Sequence, residues 1–158
     1  MLTSHASTTL RLCRMYLIDT NVISEARKKT KANPGVSSFF QRITVSGEPV
    51  YLTAITIGEL RRGIETIRHR GDSEQAILLE TWLTEVIDQF GENILGLDAD
   101  AAQVWGRLRV PDPAHALDKQ IAAIALVHDL TIVTRNTADF AGAGVKLENP
   151  FLRDMSRR

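Results

Sequence analysis

Four acidic residues stand where an acid can do chemistry. Asp19 closes the apolar run MYLI (15–18), Glu59 lies about a turn into the segment after VYLT (50–53), Asp118 opens the pattern DKQIAAIA, and Asp139 follows TIVT (131–134) by a few residues. Each has an ordinary structural role open to it. Asp19, beside Thr20 and Asn21, suits a helix N-cap. Thr56 and Glu59 spell a capping box, unless the helix begins nearer Thr53 and so carries Glu59 inside it, off the apolar stripe. Asp118 in a first helical turn complements the helix dipole, and Asp139-Phe140 suits a turn with an aromatic anchor.

Jointly the four acids say more than they do singly. Three follow apolar runs closely and the fourth opens a helix that precedes one, so all can converge on one edge of a sheet. Carboxylates gathered in one place repel one another unless a cation compensates. The donors are hard oxygens, with a single cysteine (Cys13) and no histidine pair, which suits Mg²⁺ or Mn²⁺. A site of that kind activates water and neutralises charge on a phosphodiester. No Ser-His-Asp or Cys-His arrangement is evident, which disfavours covalent catalysis, and neither GxxxxGK[ST] nor GxGxxG occurs. His128 falls on the inner side of its helical pattern, and His69 and His115 fall in polar links.

The elements that must position these acids can be read from periodicity. Strands are expected at 15–18, 50–53, 93–97, 131–134 and 145–147. Between them, Val36, Phe39, Phe40 and Ile43 share one helical face, as do Ile57, Leu60, Ile64 and Ile67, and likewise Leu79, Leu83, Val86 and Phe90. Ala101, Val104, Trp105 and Leu108 mark another helix, and Leu117, Ile121, Ile124 and His128 the last. Pro111-Asp112-Pro113 forbids a regular helix between those two. Short apolar strands alternating with helices predict an α/β fold, a sandwich around a short, mostly parallel central sheet. Ligands of such sheets sit beyond the carboxyl ends of the strands, where three of the four acids fall.

Composition bounds the remaining possibilities. A chain of 158 residues suits one domain with a real core. Hydrophobic content of 44% excludes a disordered chain. No apolar run approaches the roughly 20 residues of a membrane span, so no membrane association is expected. Basic and acidic residues balance at 19 each, which argues against nucleic-acid binding by bulk charge and leaves a local site open. Every acid lies at or after Asp19, while Arg11 and Arg14 precede it. The acid-free, Ser/Thr-rich stretch 1–14 therefore reads as a disordered upstream extension, with Met15 as the natural start, 15–152 as the domain and 153–158 as a basic tail.

MYLIDTNVISEAR (15–27), YLTAITIGELRRGIE (51–65), ILGLDADAAQVWGRL (94–108), LDKQIAAIALVHDLTIVTRNTADF (117–140) and GVKLENPF (144–151) together resemble the PIN-domain ribonucleases, in particular the VapC/FitB-like toxins of type II toxin–antitoxin systems. The resemblance spans nearly the whole body in family order. It implies a PIN-like α/β/α sandwich, and it matches Asp19, Glu59 and Asp118 to the first three acids of the metal site. The fourth position is filled in some relatives by an acid where this chain has Asn136, in others by the aspartate before the phenylalanine, here Asp139; Asp139 is the assignment, with Asn136 acting through water. Thr20, Asn21 and Thr134 match positions that support the acids by hydrogen bonds. Lys119 and Gln120 depart from the usual Asp-Ala-Leu-Ile and are expected to touch solvent or the substrate path.

The same resemblance implies a cytoplasmic, Mg²⁺- or Mn²⁺-dependent endonuclease of single-stranded RNA. Such toxins are often homodimers, held inactive by a small antitoxin that supplies operator DNA binding. Arg27, Arg62 and Arg135 are candidates for RNA or antitoxin contact, Arg62 also for pairing with an active-site acid. Lys28, Lys29, Lys31 and Arg61 are further basic candidates, each with a solvated surface as the plainer reading. Two other classes remain open: a catalytically weak PIN-like module acting mainly in an autoregulatory antitoxin complex, and a phosphoryl-transfer domain of receiver or haloacid-dehalogenase type with Asp19 as phosphate acceptor. The dehalogenase type expects a second aspartate two residues on, where this chain has Asn21.

Overall fold

The computed structural model describes residues 13–151. The expected extension up to residue 12 and the expected tail at 153–158 lie outside the described residues. Cys13 and Arg14 belong to no helix or strand.

Five short strands form the sheet: β1 (Tyr16–Ile18), β2 (Val50–Thr53), β3 (Ile94–Leu95), β4 (Thr131–Val133) and β5 (Leu147–Glu148). Their order is β3-β2-β1-β4-β5, and each neighbouring pair runs parallel. Parallel neighbours require crossovers, and helices supply them. After β1 come α1 (Thr20–Ala26) and α2 (Pro34–Ser46); after β2, α3 (Ala54–His69) and α4 (Ser73–Phe90). After β3 come α5 (Ala99–Leu108) and α6 (Ala116–His128), and after β4 the single-turn α7 (Thr137–Phe140).

Alternation along the strands divides the core into two layers. Tyr16 and Ile18 face a cluster with Val22, Phe39, Ile43, Leu60, Leu83 and Val86, which belong to α1 to α4. Leu17 and Ile132 point the other way, onto Ile121, Ala122 and Ala125 of α6 and Phe140 of α7. With both faces covered, the strands carry the near-continuous apolar runs seen in the sequence. The three-layer α/β/α arrangement expected from the sequence is therefore observed.

Three local expectations are corrected. β3 keeps two of its five expected residues, because Gly91–Asn93 form a 3-10 turn and Asp98 caps α5, its carboxylate accepting from Ala101 N at 2.9 Å. β5 begins two residues later than Val145, pairing Leu147 with Ile132. His128 and Leu117 share the apolar spacing of α6 yet lie exposed, Leu117 by 48%. The helix buries its middle, from Ile121 to Ala125, so the spacing continues past the part that has a packing partner.

Ion pairs fasten α3 to α4. Arg61 reaches Glu80 at 2.5 Å, and Arg68 reaches Glu80 at 3.0 Å and Glu65 at 2.5 Å. These groups are solvent-exposed, so each pair contributes little to stability. They pair Arg61 with acids of the α3–α4 hairpin.

Candidate active site

The sheet order reverses at β1: the chain builds outward through β2 to β3, then returns to place β4 and β5 on the other side. A switch point of this kind leaves a crevice at the carboxyl ends of the two diverging strands. Asp19 is the first residue past β1 and Thr134 the first past β4. Asp19 N donates to Val133 O at 3.0 Å, which extends the pairing of the two strands to the edge of the crevice.

Asp19 performs its structural role and leaves its carboxylate in the crevice. One oxygen, Oδ1, accepts from Thr20 N at 2.8 Å and caps α1. The other, Oδ2, accepts from Thr134 Oγ1 at 2.7 Å and from Asn21 Nδ2 at 3.3 Å. Asn21 in turn accepts from Arg135 N at 3.1 Å, and Thr134 Oγ1 accepts from Asn136 N at 3.0 Å. Asp19 is 7% exposed. Burial pushes its carboxyl above the ordinary range, against the opposing pull of those hydrogen bonds, and the charge of Asp139 adds to the rise.

Glu59 lies inside α3, because the helix is capped at Thr53, whose Oγ1 accepts from Thr56 N at 3.1 Å. The Thr56-Glu59 capping box is therefore not formed, and the earlier helix start holds. Glu59 is half-buried and pairs with Arg62 at 3.2 Å, as one reading of Arg62 expected. Asp118 sits in the first turn of α6. Its carboxyl is also raised, first by burial, then by the charges of Asp19 and Asp139, with a smaller push from Glu59 and an opposing pull from His115. Asp139 is exposed in the first turn of α7, beside the buried anchor Phe140. Asp118 thus feels the charges of the other three expected acids, and Asp19 that of Asp139.

The supporting positions divide by how they act. Asn21 and Thr134 bond Asp19 through their side chains. Thr20 and Asn136 act through backbone N–H, and the Asn136 side chain is exposed. The Thr20 hydroxyl instead meets Thr56 Oγ1 at 3.4 Å, and Thr53 Oγ1 meets Thr56 at 3.3 Å. Expected as the cap of a Thr-x-x-Glu box, Thr56 is instead a buried hydroxyl linking α1 to the start of α3, and the Thr53-x-x-Thr56 spacing was its signal. Two basic candidates make contacts within the chain. Arg27 caps the opposite end of α1 from Asp19, 6.0 Å over the Trp82 ring, and lines a cavity of about 460 Å³. The Arg135 guanidinium lies 4.6 Å over the Phe151 ring while its backbone serves Asn21.

Among the described residues, no three His, Cys, Asp or Glu side chains form a closed chelate. The donor set nevertheless fits a hard cation that retains much of its water and takes only one or two carboxylates directly. Its chemistry is all carboxylate, and the mutual repulsion felt at Asp118 is what a bound cation relieves.

The PIN domain family matches residues 16–145. Toxin FitB of Neisseria gonorrhoeae is 34% identical over 142 residues, covering 87% of this chain and 99% of the relative. A VapC ribonuclease of Sinorhizobium fredii is 30% identical, over 87% of this chain and 98% of its own. The crystal structure of FitAcB from N. gonorrhoeae superposes with a TM-score of 0.74 at 33% identity, covering 86% of this chain and 98% of that one.

Proposed function

The chain belongs to the PIN-domain family, and from that premise we propose that it is a Mg²⁺- or Mn²⁺-dependent endonuclease of single-stranded RNA, the toxin of a toxin–antitoxin pair. One observation carries the reading: a buried carboxylate, Asp19, is locked by three hydrogen bonds at the sheet's switch point, within the electrostatic reach of Asp118 and Asp139. A rigid acid with acidic neighbours is costly to keep for structure alone, since a neutral cap would serve α1 without the repulsion.

In this reading Asp19, Glu59, Asp118 and Asp139 hold the cation. When bound, the metal supplies an activated water and offsets negative charge on the phosphodiester under attack. Thr134, Asn21 and Thr20 N–H fix the Asp19 oxygens, so the first ligand needs no reorganisation on loading. Phe140, buried next to Asp139 in α7, anchors the turn that carries it.

An antitoxin is the partner this reading assigns, with operator DNA bound through it. Related structures support it: FitAB was solved on a DNA fragment, at 30% identity and a TM-score of 0.74. A homodimer and a cytoplasmic location belong to the same proposal. Among the described residues, no helix is long and apolar enough to cross a membrane.

The test is cleavage of single-stranded RNA by the wild type and Asp19→Asn, with and without Mg²⁺. Cleavage that needs both the metal and Asp19 is the expected result. Retained cleavage by contaminant-free Asp19→Asn protein would falsify the assignment.

A further inference from the structure

His115 holds a strained backbone to which its own side chain contributes no capping bond. It stands at φ 55°, ψ 44°, the left-handed region that costs a residue with a Cβ about 1–2 kcal/mol. It occupies the N-cap position of α6, yet its side chain makes no capping bond. The side chain is 58% exposed, and Nδ1 lies 3.8 Å from Asp118 Oδ2. Strain of this kind persists where the surroundings over-determine it. Here Trp105 Nε1 donates to Ala116 O at 3.0 Å, Lys119 Nζ to Asp112 O at 2.5 Å, and Ala114 N to Asp112 Oδ1 at 2.9 Å. Lys119, expected at the solvent or the substrate path, makes this exposed bond to the connector.

The basic residues nearest Glu59 along α3 are already committed. Arg61 and Arg68 bind Glu80 and Glu65, and Arg62 binds Glu59. The connector between α5 and α6 differs: among the described residues the Arg109 guanidinium lies 4.8 Å over the Trp105 ring and forms no ion pair, while its Nε is buried away from solvent. A polyanion reaching the acids thus finds the exposed His115 ring on the Asp118 side. A histidine held out on a rigid connector can donate to phosphate from the ring edge turned away from Asp118.

Resting on the nuclease reading above, we propose that His115 is a substrate-positioning residue, contacting the RNA backbone beside the phosphodiester that Asp118 faces. The strand therefore enters across the α5–α6 connector.

His115→Asn and His115→Gly test this, because both residues accept a positive φ and should hold or raise the melting temperature. Loss of one such hydrogen bond should raise KM for a single-stranded oligoribonucleotide roughly three- to tenfold in Mn²⁺, with kcat changed far less. The same substitutions on the Asp19→Asn background should weaken oligoribonucleotide binding by a similar factor. Unchanged KM and unchanged binding in folded protein would overturn the role of His115. If wild type fails to cleave while binding still depends on His115, the nuclease reading falls and the contact stands. Failure to bind the oligoribonucleotide at all overturns both.

Discussion

Thr134 Oγ1 donates a 2.7 Å hydrogen bond to Asp19 Oδ2, joining residues 115 positions apart at the point where the sheet reverses its order. The same hydroxyl oxygen accepts from Asn21 Nδ2 at 3.3 Å and Asn136 N at 3.0 Å. One buried oxygen therefore ties the ends of β1 and β4, the first turn of α1 and the loop leading to Asp139.

Thr134→Val keeps the shape and removes that oxygen. It leaves Asp19 without its shortest donor and Asn136 N without its acceptor, at an expected cost of about 1–3 kcal/mol in thermal or denaturant unfolding. Thr134→Ser should recover most of the loss. A Val variant as stable as wild type would show that the network does not hold the crevice together.

Much of this architecture was legible in the residues. Strands β1, β2 and β4 were plain because both faces are covered, so each reads as an apolar run. The ends of β3 and β5 were off by one or two residues because they are two-residue edge strands, with too little pattern to fix a boundary. The acids were found by their places after strands. Their supports were harder to read: Thr56 lies in a Thr-x-x-Thr cap that the overlapping Thr-x-x-Glu spacing obscures, and the pose of His115 depends on Trp105 and Lys119, ten residues before it and four after.

Protonation should link stability to pH in a definite direction. The carboxyls of Asp19 and Asp118 are raised above the ordinary 3.8, by burial first. Between that value and the raised one, the folded protein binds more protons than the unfolded chain, so these two groups lower stability as pH rises through the window. Above it, at neutral pH, the cost is fully present. Asp118→Asn should therefore raise the metal-free melting temperature at pH 7 by a few degrees, and the gain should vanish below the ordinary carboxylate range. Thermal melts at both pH values check this, and an unchanged melt at pH 7 would refute it.

Divalent metal should reverse the same penalty. A cation that binds only the folded state at a hundred times its Kd stabilises by about 2.7 kcal/mol. Mn²⁺ should raise the wild-type melting temperature at pH 7, and Asp19→Asn should remove most of that rise. Cleavage should fall by more than about 100-fold in the same variant, since even the outer supports of a metal site are worth 10–100-fold. A full Mn²⁺ response in Asp19→Asn would place the cation elsewhere.

If Glu59 holds the proposed cation, Arg62 competes for it. The pair spans 3.2 Å with the arginine side chain 78% exposed, so its worth to the fold is small, at most about 1 kcal/mol. Arg62→Ala should leave the melting temperature near that of wild type while freeing Glu59 for the metal. Apparent Mn²⁺ affinity should then rise, by no more than about fivefold given that ceiling on the pair. The rise should shrink with added salt, which screens an exposed pair in the wild type. Calorimetric titration at two ionic strengths measures both effects, and lower affinity in Arg62→Ala would mean that the arginine supports Glu59 rather than competing for it.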